Sequence, residues 1–207
     1  MPQNQIVCIV DDDDAVRDSL QVLLETMDYA VKAYESGPDF LEECTVPEMA
    51  CVLLDVRMPK MNGMEVQQRL HDIRPALPVI IVTGHADVAM AVQAMQTGAI
   101  DFIEKPFQED ALLASVRNAL SIGEQSQQRE EIRAATLRSL ERLTHREREV
   151  FDQLILGHAN KVIARALDCS PRTVEIHRAR VMEKLDVASV AHLVRMALAV
   201  GIEFNDG

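Results

Sequence analysis

Short apolar runs alternate with longer amphipathic stretches through the first 122 residues. Runs rich in Val, Ile, Leu and Ala predict buried strands at residues 6–10, 30–34, 51–55, 78–82 and 99–103. Helical spacing between them predicts helices at about 16–27, 39–44, 63–73, 88–97 and 108–122. In the third of these helices, the residues expected to face inward are Met64, Val66, Leu70 and Ile73. Strand–helix alternation repeated five times predicts an α/β doubly wound domain, in which helices cover both faces of a parallel sheet.

Residues 143–207 show helical periodicity only. Helices are predicted at about 143–156, 161–167, 171–185 and 189–200. Thr144 and Glu147 form a capping box for the first helix, and Asn160 is expected to cap the second. Ser170 followed by Pro171 is a typical helix start. Two short helices around a brief turn, the second of them basic, predict a small all-α helix-turn-helix domain.

The segment between the two patterns, residues 123–142, is rich in Gln, Glu, Arg and Ser. Ile132, Leu137 and Leu140 give it only a thin apolar stripe. This composition predicts a polar helical linker, either separate from the fifth helix or continuous with it. The predicted organisation is therefore an α/β domain at 1–122, a linker at 123–142 and a helical domain at 143–207.

Composition narrows the class of protein. No apolar run approaches the ~18 residues of a membrane span, and no basic segment precedes an apolar core at the N-terminus. The four cysteines have no metal-type spacing, which favours reduced thiols. We therefore expect a cytoplasmic protein without a membrane partner.

Charge is distributed unevenly along the chain. Residues 1–141 carry a net charge of -13, whereas residues 142–207 carry +1 and residues 160–184 carry +3. Two domains with different partners explain this asymmetry better than one uniform surface. The overall charge of -12 argues against indiscriminate binding of nucleic acid.

Polar residues follow four of the predicted strands: Asp11 with Asp12, then Asp55, Thr83 and Lys105. The carboxyl ends of parallel strands lie at one edge of a sheet, so these groups are expected to converge. Crowded carboxylates suit a hard cation such as Mg²⁺. A carboxylate can also accept a phosphoryl group, whose charge a metal ion and a lysine would neutralise.

Each of these residues has an ordinary alternative role. An Asp that closes a strand is more often a turn former or a helix cap, and Asp13 and Asp14 are expected to cap the first helix. A lone Lys at a strand end is usually a solvated charge. The combination of all four strand ends, rather than any single residue, favours the phosphoryl-transfer site.

Four motifs in order resemble the receiver domain of response regulators: IVDDD at 9–13, LLDVRMPKMNG at 53–63, IIVTGHAD at 80–87 and DFIEKPF at 101–107. The resemblance implies a five-stranded parallel sheet in the order 2-1-3-4-5 and a cis Lys105–Pro106 peptide bond. It also implies that Asp55 is the phosphoacceptor. The implied ligands of Mg²⁺ (or Mn²⁺) are Asp11, Asp12, Asp55 and the backbone carbonyl of Arg57. The implied switch residues are Thr83, Lys105 and Phe102.

Two further positions correspond to residues that flank the attacking water in this family. They lie two residues after the phosphoacceptor and two after the switch threonine, and here they are Arg57 and His85. We hypothesise that this bulky pair slows or directs hydrolysis of the aspartyl-phosphate. The alternative is that both side chains simply face solvent.

The segments LTHREREV and NKVIARALDCSPRTVEIHRARVMEKLDV resemble the LuxR/FixJ-type effector domain. Members of that family bind DNA as dimers and place the third helix in the major groove. The residues expected at the DNA are Lys161, Arg172, Thr173, Glu175, Ile176, His177, Arg178, Ala179, Arg180 and Lys184. Glu175 is acidic where a base-reading residue would lie, and it either accepts from cytosine N4 or repels phosphates. His177 either packs among the helices or contacts a phosphate.

Together the two resemblances imply a FixJ/NarL-type transcription regulator of a two-component system. A sensor histidine kinase would phosphorylate Asp55, and the phosphorylated receiver would form a homodimer that binds double-stranded promoter DNA and acts on RNA polymerase. One alternative is a phosphotransfer hydrolase, although Arg57 stands where a second acid would be needed. Another is a constitutive DNA-binding protein whose first domain is only a dimer scaffold.

Overall fold

The computed structural model describes residues 6–44 and 49–202 and divides the chain between Gln127 and Gln128 into two compact units. The elements of the first unit are β1 (Ile6–Val10), α1 (Asp14–Thr26), β2 (Ala30–Tyr34), α2 (Gly37–Glu43), β3 (Met49–Leu54), α3 (Gly63–Ile73), β4 (Val79–Thr83), α4 (Val88–Gln96), β5 (Asp101–Glu104) and α5 (Glu109–Glu141). Helix α5 continues across the division into the second unit.

The five strands form one parallel sheet in the order β2-β1-β3-β4-β5. This confirms both the fold class and the strand order expected from the sequence. Because all strands point the same way, the residues that follow β1, β3, β4 and β5 share one edge of the sheet. The Lys105–Pro106 bond at that edge is cis.

Alternate residues of the central strands enter two separate cores, one on each face of the sheet. Val10, Val52 and Leu54 pack on the face covered by α2, α3 and α4. Ile9 and Leu53 pack on the face covered by α1 and α5. Burial on both faces explains why these strands are continuous apolar runs rather than alternating patterns.

The structure decides one open point about the predicted helices in this unit and changes one detail. Helix α5 runs beyond residue 122 to Glu141, so the polar stretch is continuous with the fifth helix rather than separate from it. That stretch contains good helix formers and no proline. In α3, Ile73 was expected to face inward but is 53% exposed, whereas Gln67 is only 1% exposed.

The second unit contains the end of α5 and four further helices: α6 (His145–Ile155), α7 (Asn160–Ala166), α8 (Pro171–Lys184) and α9 (Val190–Ala199). Its core is formed mainly by Val150, Phe151, Leu154, Ile163, Val174, Val181, Leu185, Leu193 and Ala197. The capping box of Thr144 and Glu147 is present, and the Ser170 side chain accepts from Thr173 N. The predicted helix-turn-helix is α7, the turn and α8.

The expected cap at Asn160 is wrong. Ala159 occupies the cap position of α7 without a side-chain hydrogen bond, and Asn160 is the first helical residue. The Asn160 Oδ1 instead accepts from the Arg178 Nη1 of α8 at 3.4 Å, so this side chain links the two helices. Among residues 6–44 and 49–202, no helix is both long and apolar enough to cross a membrane.

Candidate functional site: an acidic pocket and a basic helix

Asp55 lies directly after β3 and is held by backbone as well as side-chain contacts. Its N–H donates to the Val10 carbonyl at 2.8 Å, which keeps it in line with the end of β1. Its Oδ2 accepts from Arg57 N at 2.5 Å, and its Oδ1 accepts from Lys105 Nζ at 2.9 Å. The residue is 6% exposed. One carboxylate is therefore oriented from two directions at the edge of the sheet.

Asp11 takes the equivalent place after β1 and is 3% exposed. Its Oδ2 accepts from Lys105 Nζ at 2.5 Å and its Oδ1 accepts from Asp13 N at 3.0 Å. The Arg17 Nη1 donates to the Asp11 carbonyl at 2.6 Å. Asp13 is the cap of α1, as expected, whereas Asp14 is its first residue and pairs with Arg17.

Lys105 joins the two buried carboxylates and balances part of their charge. Burial raises the pKa of Asp55, and the opposing hydrogen bond and charge of Lys105 do not cancel that effect. Burial alone would lower the pKa of Lys105, but its contacts with Asp11 and Asp55 raise it overall. The lysine is therefore a cation when the acids are ionised.

The other residues predicted for the pocket differ in burial and in their contacts. Thr83 is fully buried, its carbonyl accepts from Lys105 N at 2.9 Å, and its Oγ1 accepts from His85 N at 3.4 Å. Phe102 is half-buried against the core below α4. Asp12 is exposed, and so are Arg57 and His85.

A cleft of about 940 Å³ opens beside the pocket. Asp12 and Arg57 line it together with residues of α3 and α4, among them Met64 and Met90. The cleft connects the acidic edge of the sheet to the surface between these two helices.

The oxygen donors agree in kind with a hard divalent cation, which prefers carboxylate and carbonyl ligands. Asp11 and Asp55 supply two carboxylates that already converge on one cation, the Lys105 ammonium. Within residues 6–44 and 49–202, no three carboxylate, imidazole or thiol side chains are grouped closely enough to form a metal site by themselves. Among the described residues, the donors that converge are therefore the Asp11 and Asp55 carboxylates, both of which contact Lys105.

The predicted DNA-binding residues lie mainly on the outer surface of α8. Arg172, Glu175, Ile176, Ala179 and Arg180 are exposed, and Ile176 is 48% exposed. Thr173, His177 and Arg178 are half-buried, and Lys161 is exposed on α7. The buried stripe of Val174, Val181 and Leu185 faces the core as predicted. Glu175 forms no ion pair with any described residue.

Lys184 has partners inside its own domain. Its Nζ donates to Glu147 Oε2 at 2.6 Å and to the Arg142 carbonyl at 3.1 Å. The bond from Lys184 and that from Thr144 N lower the pKa of Glu147 to about 2. The predicted phosphate contact of Lys184 therefore competes with an ion pair to a carboxylate that is almost completely buried.

Comparison with known proteins identifies both halves of the chain. The model of the response regulator receiver domain matches residues 7–117, and that of the bacterial regulatory proteins of the luxR family matches residues 141–197. FixJ of Azorhizobium caulinodans is 44% identical over 202 residues, which cover 98% of this chain and 96% of that protein. FixJ of Rhizobium meliloti is 43% identical and covers 94% and 96%. The chain belongs to the FixJ-type response regulators.

Solved structures agree with this assignment. The response regulator StyR, 37% identical, covers 94% of this chain and 98% of its own with a TM-score of 0.83. Full-length FixJ from B. japonicum, 39% identical, covers 97% and 98% with a TM-score of 0.58. This FixJ-type response regulator is thus a phosphorylation-dependent transcriptional regulator with a luxR-type DNA-binding domain, not a turnover enzyme.

Two residues that support the pocket of this response regulator, and one that joins α3 to α4, were missed from the sequence. Gly63 packs so closely that a Cβ there would lie 2.1 Å from the Asp55 carbonyl oxygen. Arg17 holds the Asp11 carbonyl. Gln67 bonds to α4 from a buried position. The sequence does contain a signal for Gln67. Gly63, Gln67 and Leu70 are spaced so that they share one face of the helix, and a polar residue on a buried face indicates a specific hydrogen bond.

We expect Asp55→Asn to raise the thermal unfolding midpoint at neutral pH, since a carboxylate whose pKa is raised by burial destabilises the fold when ionised. The increase in the unfolding midpoint should be largest at pH values above the folded-state pKa of Asp55. It should shrink as the pH falls through that value and then through the lower value of the unfolded chain. Scanning calorimetry across pH measures it, with the exposed Asp72→Asn as control. A midpoint lowered at every pH would contradict the assignment of burial as the dominant effect.

A second prediction concerns Lys184. Lys184→Met should lower the unfolding midpoint, because it leaves Glu147 buried without its partner. It should leave unchanged the slope of log binding constant against log salt on a short DNA duplex of arbitrary sequence. The matched Arg172→Met should reduce that slope by about 0.9 for each phosphate that is no longer neutralised and leave the midpoint unchanged, since Arg172 is exposed. A reduced slope for Lys184→Met would instead place that lysine on phosphate.

Proposed function

We propose that Asp55 is the residue of this response regulator that accepts the phosphoryl group, and that the donor is a phosphohistidine of a sensor histidine kinase. The observation that carries the proposal is the Lys105 ammonium, which lies between Asp55 and Asp11 at the carboxyl edge of the sheet. In the step, an oxygen of Asp55 attacks phosphorus, the new P–O bond replaces the P–N bond, and the released imidazole nitrogen keeps the electron pair and takes up a proton.

Asp11, Asp12, Asp55 and the carbonyl of Arg57 would hold Mg²⁺ or Mn²⁺ at this edge. The metal would neutralise charge on the phosphoryl oxygens. Asp12 is exposed at the mouth of the cleft, where it can supply a carboxylate without moving the sheet. Lys105 carries a charge of the same sign and shares the same two buried acids, so it contributes to the stabilisation of the transferred group.

Thr83, Lys105 and Phe102 would change their contacts when Asp55 is phosphorylated. The Thr83 hydroxyl would hydrogen-bond a phosphoryl oxygen, and the half-buried ring of Phe102 would follow it. We propose that the face of α4, β5 and α5 then pairs two receivers into a homodimer. Val88, Val92 and Met95 of α4 offer exposed apolar surface for that pairing, at 82%, 49% and 49% exposure.

Dimerisation would align two helix-turn-helix units on half-sites of promoter DNA, where RNA polymerase would respond. Helix α8 would enter the major groove, with Glu175, Ile176 and Ala179 toward base edges and Arg172 and Arg180 toward phosphates. Thr173, His177, Arg178 and Lys161 would flank the contact. We place this activity in the cytoplasm and divide the chain into a receiver at 1–122, a linker at 123–142 and the DNA-binding domain at 143–207.

A gel-shift series with wild type and Asp55→Asn, each with and without acetyl phosphate, tests the proposal. Acetyl phosphate with Mg²⁺ should raise the DNA affinity of wild type at least tenfold and should not change that of Asp55→Asn. Asp72→Asn, the same chemical change at an exposed position on α3, should respond like wild type. Equal responses of wild type and Asp55→Asn would favour a constitutive DNA-binding protein whose receiver is only a scaffold.

The lifetime of the phosphoryl group generates a separate prediction. Arg57 and His85 are both exposed, while their backbone N–H groups donate to Asp55 and Thr83. Their side chains can therefore extend over the pocket without disturbing its framework. Replacing both with Ala should shorten the half-life of the aspartyl-phosphate severalfold, which release of phosphate from the labelled protein measures. An unchanged half-life would mean that both side chains simply face solvent.

A further inference from the structure

Gln67 is a buried polar residue on α3 that none of the proposed phosphorylation steps uses. It is 1% exposed, and its Nε2 donates to the Ala94 carbonyl of α4 at 2.8 Å. Its Oε1 is buried and has no hydrogen-bond partner among the residues that the structure describes. Turning the amide over would place Oε1 against the Ala94 carbonyl, so the orientation is determined by chemistry. The side chain thus makes one bond to α4 and leaves a polar atom unsatisfied.

The Ala94 carbonyl lies at the C-terminal end of α4, where the chain leaves the helix through Gly98 with a φ of 95°. The same carbonyl accepts from Ala99 N at 3.0 Å. Ile100 N then donates to the Val79 carbonyl at 2.7 Å. The bond from Gln67 therefore reinforces an end of the helix that is already tied to the sheet.

The rest of α4 buries few side chains. Ala94 is its one buried residue, and Met90 is half-buried against the same core. Val88 at the other end is 82% exposed, and Val92 is 49% exposed. The C-terminal end of α4 has a buried hydrogen bond, whereas its N-terminal end has few buried contacts. We therefore expect the N-terminal end to be the more weakly attached of the two.

Helix α3, which carries Gln67, is in turn tightly joined to the phosphoacceptor loop. Gly63 N donates to the Val56 carbonyl at 2.8 Å, and the position of Gly63 against the Asp55 carbonyl leaves no space for a side chain. Asn62 and Glu65 form a capping box at the same end. The backbone that follows Asp55 and the helix that contacts α4 are therefore parts of one closely packed piece.

We propose that Gln67 is a positioning residue for the response of α4 to phosphorylation. Its amide holds the C-terminal end of α4 to α3, so the change at Asp55 and Thr83 is taken up by the N-terminal half of α4, which begins with the exposed Val88. The unsatisfied Oε1 shows that an apolar residue would fit this site with no loss of acceptor bonding. Gln67 is therefore explained by the position it imposes on α4 rather than by stability. The inference rests on Asp55 being the phosphoacceptor.

The test compares wild type with Gln67→Leu and Gln67→Met, which both remove the donor at similar volume. Gln68→Leu is the matched control, because the neighbouring Gln68 is exposed. For each protein, DNA affinity is measured with and without acetyl phosphate. Hydrogen exchange of residues 88–100 is followed without the phosphodonor, and the thermal midpoint is recorded.

Both Gln67 variants should lose at least tenfold in the ratio of phosphorylated to unphosphorylated DNA affinity, and Gln68→Leu should not. Exchange at residues 97–100 should become faster in both variants, while the midpoint of Gln67→Leu should not fall. An unchanged ratio in both variants overturns the proposal, whatever happens to the midpoint. If wild type itself does not respond to acetyl phosphate, the proposed role of Asp55 fails instead. The exchange measurement then decides separately whether Gln67 holds α4, and unchanged exchange at 97–100 overturns that contact.

Discussion

The Lys105 ammonium between Asp11 and Asp55 is the interaction on which the rest of the receiver depends. Two nearly buried carboxylates at adjoining strand ends repel each other and lose hydration. The lysine that follows the last strand of the sheet supplies a cation that makes that arrangement tolerable, at Nζ–oxygen distances of 2.5 and 2.9 Å. Because a phosphoryl group would add negative charge to one of the two acids, it would change the balance that this lysine maintains. Phosphorylation of Asp55 would thus alter the electrostatic interactions among Asp11, Asp55 and Lys105.

Close packing around Asp55 then determines which neighbouring elements a change at this residue would affect. The backbone after Asp55 is pressed against Gly63, so β3 and the start of α3 behave as one piece. Thr83 leads into α4 from the sheet, and Gln67 contacts the other end of α4 from α3. Helix α4 is therefore attached at both ends. The β4–α4 connection holds its N-terminal end, and α3 holds its C-terminal end through Gln67. In the proposed mechanism its exposed apolar side chains would respond to phosphorylation, because so little of the helix is buried.

On α8 of the DNA-binding domain, the four Lys and Arg residues fall into two groups. Arg178 and Lys184 have partners within the fold, Asn160 for the first and Glu147 with the Arg142 carbonyl for the second. Arg172 and Arg180 are exposed on α8. The first group fixes where α8 lies, and the second group is available to a ligand. Net charge alone cannot separate them, because an arginine bonded inside the domain and one facing solvent count equally.

The sequence by itself determined the strand–helix alternation, the strand order through the receiver motifs, and the set of polar residues at the strand ends. It could do so because a residue that follows a parallel strand must lie at one edge of the sheet, whatever packs around it. Only the tertiary structure decided that α5 continues to Glu141, that Asn160 serves Arg178 rather than a helix cap, and that α3 buries Gln67 instead of Ile73. Periodicity shows which face of a helix is apolar, but the choice among neighbouring positions depends on the partner that comes within bonding distance.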